Sequence, residues 1–187
     1  MDFQKIALAV HLLGFALGLG GATISDIMFF KALKRKQITS DTYYALSTLS
    51  KVIWIGLVLL IFSGLVIFWL IYAEQGSLPM LLSPRWQMKL LLVGVVLVNG
   101  FVFMGRIFPF LKSLVGTTLT LQTLSPKILS LAISGTVSIL SWYSIFVVTM
   151  LPRTFRPLLI YFVLAYLVML VIGIFISKKL MTKTLES

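Results

Sequence analysis

His11 is the only histidine of the chain, and it stands inside a long run of apolar residues. An ionisable side chain in such a run is costly to place and marks a functional position by default. On a helix, residues 11, 14, 18, 21, 22 and 25 share one face. Here they are His11, Gly14, Gly18, Gly21, Ala22 and Ser25. That face is nearly bare, with one imidazole at its end. Two kinds of partner fit it. One is a second helix approaching closely through small-xxx-small contacts, for which Gly14 and Gly18 have the spacing. The other is a flat macrocycle such as haem, its metal held by His11. Lys89 lies one turn into the third apolar segment and is expected at similar depth. It either snorkels to the interface or contacts a cofactor, as a nitrogen ligand once desolvation removes its proton or as a charged partner for a propionate.

Other polar residues fall at the opposite end of the same segments. Asp26 lies fifteen residues beyond His11, about 22 Å away at helical rise, so the two cannot share a site. Arg106 is expected at the depth of Asp26, and pairing would offset the cost of burying either charge alone. Asn99 and Arg106 are seven apart and share a face. Ser130, Ser134, Ser138, Ser141 and Ser144 punctuate the fourth segment, and most of them are read as small packing residues bonded to their own preceding turn; a polar pore lining is disfavoured, because the second and fifth segments offer few polar partners. Trp142 and Tyr143 sit deeper than an interfacial belt requires and are candidate pocket walls near His11. Arg85, Arg153 and Arg156 could bind propionates or anionic lipid. No carboxylate pair for acid–base work, no Ser-His-Asp grouping and no phosphate loop is present.

The elements that carry these residues follow from composition. Of 187 residues, 59% are hydrophobic and 11% charged, with mean hydropathy +1.07. A soluble domain carries about 25% charged residues, whereas a membrane-spanning helix needs roughly 20 mostly apolar ones. Five such segments are read at about 6–30, 52–73, 86–109, 127–151 and 157–177, which makes 1–187 one integral membrane domain. The expected fold is an all-α, polytopic membrane helix bundle. Ser40-Asp41 reads as a helix start outside the membrane, and Ser125-Pro126 as cap plus first-turn proline. A short surface helix fits the 110–125 connection, a loop is read at 74–85, and 152–156 reads as a tight turn. A basic tail follows the last segment. The first apolar run is far longer than the core of a cleavable signal and is read as retained.

With no cysteine there is no thiolate chemistry, and one histidine cannot build a two-histidine metal site. The formal charge of +11 comes without a nucleic-acid motif, so nucleic acid is not an expected partner. The charge instead sets orientation. Eleven lysines and arginines, from Lys31 to Lys183, fall on one side, and Lys5, Arg85, Lys89, Arg153 and Arg156 on the other. The richer side is expected in the cytoplasm, with the N-terminus outside and the C-terminus inside. Trp69, Tyr72, Trp86 and Tyr161 mark the outer interface.

Two stretches, "AVHLLGFALGLGGATISDIMFF" and "PRWQMKLLLVGVVLVNG", resemble the superfamily of small bacterial membrane proteins that includes HemJ-type protoporphyrinogen oxidases and CopD-like domains. The resemblance covers the first three segments. It implies a bacterial inner-membrane location and a b-type haem held by His11 and Lys89. The chain departs from the pattern at Asn99, where the family tends to carry a further histidine, and in having a fifth segment.

The leading expectation is therefore a haem-b-binding membrane protein, contacted by His11 and Lys89 with Gly14 and Gly18 giving room. It would serve electron transfer or porphyrin-linked oxidation with a redox partner. The rival is a scaffold or small-molecule binder without a redox cofactor, alone or as a homo-oligomer. A transporter is disfavoured, because the polar groups are split by about 22 Å and no matched pair of broken helices is evident.

Overall fold

The computed structural model describes residues 3–77, 79–152 and 158–186, excluding the side chains of Pro79 and Met80. Five helices are long and apolar enough to cross a membrane: α1 Phe3–Lys34, α2 Ser40–Gln75, α3 Pro84–Ser113, α4 Ile128–Met150 and α5 Leu159–Glu186. Among the described residues there is no strand. The chain is an all-α helical bundle.

Each boundary has a local cause. Thr39, in extended conformation, caps α2 by accepting from the Thr42 N–H, so the cap is one residue earlier than the Ser40-Asp41 signal suggests. Gly76 ends α2 with a φ of 66°, its N–H donating to the Tyr72 carbonyl. A 3₁₀ turn, Pro79–Leu82, precedes α3, which opens on Pro84. The loop read at 74–85 is therefore shorter, because α2 runs to Gln75 and α3 starts at Pro84. The helix starting at Ser125-Pro126 is not observed. Ser125 instead closes the short helix Leu121–Leu124, and α4 begins at Ile128. The basic tail is helical, since α5 continues to Glu186. The 152–156 turn lies mostly outside the described residues.

Proline 109 does not end α3. The helix passes through a π turn, Phe103–Ile107, in which the Phe108 N–H reaches back five residues to the Phe103 carbonyl. The widened turn lets Pro109, which lacks an N–H, fall in the first turn of the succeeding α-helical stretch.

α1 and α2 form the closest pair. α3 packs on α4, α4 on α5, and α4 also meets α1. α2 and α3 hardly touch through their backbones. Two apolar clusters fill the bundle. One, at the lysine-rich end, centres on Leu33, Ile38, Ile107, Leu111 and Leu124. The other centres on Leu57, Met88, Leu92 and Trp142. The α1–α2 turn is tied to the α3–α4 connection by isolated bridges, Gln37 with Thr118 and Ile38 with Val115.

Candidate functional site

The glycine face of α1 is closed. A Cβ placed on Gly14 would lie 2.7 Å from the Gly56 carbonyl oxygen and from the Leu60 nitrogen of α2. A Cβ on Gly56 would meet the Gly14 oxygen and the Gly18 nitrogen at the same distance. The two backbones therefore touch, as small residues allow when helices associate in lipid. The next turn is filled differently: the six-membered ring of Trp142, from α4, stands directly on Gly18. Gly21 is covered by Ile53.

His11 belongs to the same seam. Its Nδ1 is 3.0 Å from Ser63 Oγ, and its Cε1 lies over Gly64, both on α2. The Ser63 hydroxyl donates to the Leu59 carbonyl. A hydroxyl has one proton to give, so that bond makes Ser63 Oγ the acceptor and His11 Nδ1–H the donor. Lys89, one turn into α3, stands toward the same end of the bundle. Its Nζ is 4.9 Å from the centroid of the Trp86 ring, a cation–π contact within its own helix. Arg85 turns its guanidinium to the Val148 and Thr149 carbonyls near the end of α4.

This arrangement tests whether a haem fits. A neutral imidazole fixed through Nδ1–H is suitable ligand chemistry. The room is not there: Gly14 is closed by the Gly56 backbone and Gly18 by Trp142. The residues expected to cradle a macrocycle do not fit one. Among the described residues, no group of three or more histidines and carboxylates could hold a metal ion.

The other end of α1 holds a different site. A cavity of about 70 Å³ opens among α1, α2, α3 and α4, between the two apolar clusters. Its polar lining comprises Ser25, Asp26, Ser50, Asn99 and Ser138, together with the indole of Trp142. Asp26 has no ion-pair or hydrogen-bond partner among the described residues, and its Oδ1 faces Gly135 of α4. The expected Asp26–Arg106 pair is not formed. Arg106 lies in the π turn and is exposed. Asn99 is already engaged, since its Nδ2 donates to the Ser134 carbonyl and the Ser134 hydroxyl donates to its Oδ1, each at 3.0 Å. Trp142 is 0% exposed, and its Nε1–H has no hydrogen-bond partner among the described residues.

Trp54 forms the side of this cavity between α2 and α3. Its ring stands against Gly100 and meets Phe101 edge-on, with centroids 5.0 Å apart. Phe103, the first residue of the π turn, and Phe108, just after its end, also line the cavity. A π turn beside a cavity is a recurrent feature of functional sites.

Trp142 was anticipated as a pocket wall, but the pocket lies toward Asp26 and not toward His11. Tyr143 is 44% exposed and faces outward. Among the described residues none of the five α4 serines bonds its own preceding turn: Ser134 bonds Asn99, and Ser141 Oγ is 2.8 Å from the Tyr166 hydroxyl of α5. Arg153 and Arg156 lie outside the described residues. Gly56, Ser63 and Trp54 were missed by sequence reasoning. The signal for the first was present, because Gly56 and Gly64 share a face of α2 two turns apart.

No protein-family model, no curated protein and no solved structure matches the chain.

Proposed function

We propose that this is a non-enzymatic, small-molecule-binding protein of the bacterial inner membrane, with its lysine-rich end in the cytoplasm. The observation that carries this reading is the polar cavity at Asp26, whose carboxyl has no partner among the described residues. Unsatisfied polar groups in a bundle interior cost free energy, and a bound molecule offsets that cost. The His11 seam supports the same reading from the other side. It is closed by α2 and spends His11 on a helix–helix hydrogen bond. A haem on His11, serving electron transfer with a redox partner, is the alternative it displaces.

The cysteine-free chain permits a direct test by single introduced thiols. Ser138→Cys, which lines the cavity, is expected to react with a small membrane-permeant alkylating reagent. Ser63→Cys, in the closed seam, is expected to be protected. Equal protection at both positions would overturn the reading.

A further inference from the structure

We infer that the Asp26 cavity receives the ammonium head of a membrane-dissolved amphiphilic amine, admitted from the lipid between α2 and α3. This names the ligand class for the small-molecule reading above and rests on it. Three observations lead there.

The first is charge. Asp26 is the only carboxylate within the apolar cores of the five helices. A carboxyl at membrane depth normally pairs with a cation of the protein, and here the expected one, Arg106, is exposed and unpaired with it. The partner is left to come from elsewhere. The remaining lining supplies what an ammonium head needs: hydroxyl oxygens of Ser25, Ser50 and Ser138, and aromatic faces.

The second is size. A cavity of about 70 Å³ is about half the ~150 Å³ that encloses a benzene ring. It takes a head group and not a whole drug-sized molecule, so the apolar remainder of the ligand must lie outside it.

The third is the route. α2 and α3 make few backbone contacts, and between them the Trp54 side chain stands against Gly100. Trp54, half-buried, lines the cavity on that side with the exposed Phe101 ring against it. Rotation of one indole opens the cavity sideways, with the tail left among the lipid chains. Lateral access also avoids the lysine and arginine collar at the end of the bundle nearest Asp26, which would repel a cation arriving from water.

The test is tryptophan fluorescence of the purified full chain in neutral-lipid nanodiscs, titrated with dodecylammonium, dodecanol or methylammonium. Trp54 and Trp142 line the cavity, whereas Trp69 and Trp86 lie at the other end. The expected result is a saturable change with dodecylammonium, with affinity at least tenfold weaker in Asp26→Asn and no comparable response to dodecanol. Ser138→Leu, which fills the cavity while keeping the carboxyl, is expected to abolish the change and covers the case in which Asp26→Asn does not fold. Equal binding of dodecanol, or binding untouched by Asp26→Asn, would overturn the amine while leaving a small-molecule site. Methylammonium binding as tightly as dodecylammonium would overturn the lateral, amphiphilic ligand. No saturable response overturns the amine when Ser138→Cys is still alkylated, and overturns the binding-protein reading as well when it is not.

Discussion

His11 and Asp26 are the two residues of α1 whose chemistry is expensive in a membrane, and they are treated in opposite ways. His11 is given a partner by α2, whereas Asp26 has none among the described residues. The His11–Ser63 bond is expected to behave as a membrane-interior hydrogen bond, which contributes about 0.6 kcal/mol on average. A double-mutant cycle of His11→Ala and Ser63→Ala, followed by reversible unfolding, should give coupling of that order, and strict additivity would contradict the bond. The position of His11 on a bare face was legible, because helical spacing alone places it there. Its partner was not, since Ser63 is 52 residues away and nothing local announces it. The Asp26–Arg106 pair failed for a physical reason. Depth was inferred from helical rise, but a π turn adds a residue to the helix and rotates the succeeding side chains by about 100°. Arg106 is thereby carried outward.

Among the elements, α1 and α2 depend most on residues without side chains. Substituting Gly14 or Gly56 drives a Cβ to 2.7 Å from the backbone of the facing helix, and two rigid backbones must separate. Gly14→Leu is expected to destabilise by about 3 kcal/mol or more, at the top of the overpacking range. Gly20, two positions from Gly18, has nothing within 4 Å of its would-be Cβ. Gly20→Leu is expected to change stability by less than about 0.5 kcal/mol. Thermal unfolding of the two variants side by side checks this, and similar melting points would mean that α1 and α2 do not meet through Gly14. All five helices were legible from apolar length alone. Their ends were less so: Pro109 and Ser125-Pro126 look like a stop and a start, yet the first is absorbed by a π turn and the second falls between helices. Proline restricts the chain, but which of several tolerated positions it occupies is decided by packing. The cavity was the least legible feature, because its lining comes from four helices and depends on α2 and α3 standing apart.

On the scale of the whole molecule, lysine and arginine are gathered at one end of the bundle, and that end is expected in the cytoplasm. Glu74 and Lys112 are both exposed and lie at opposite ends. In intact cells a membrane-impermeant maleimide should label Glu74→Cys at once and Lys112→Cys only after permeabilisation; the reverse order would invert the orientation. The two ends also divide the work. The end carrying His11 is a closed helical seam, and the end carrying Asp26 holds the cavity. The sequence resemblance pointed to the first as the site, and the packing points to the second. The measurement that separates them most directly is the absorption spectrum of the detergent-purified protein, oxidised and then reduced, with haem added back. A spectrum without a Soret band is expected in both the native chain and His11→Ala. A Soret band that shifts on reduction and disappears in His11→Ala would contradict it, and would mean that α1 and α2 part at Gly14 and Gly18 to admit the macrocycle.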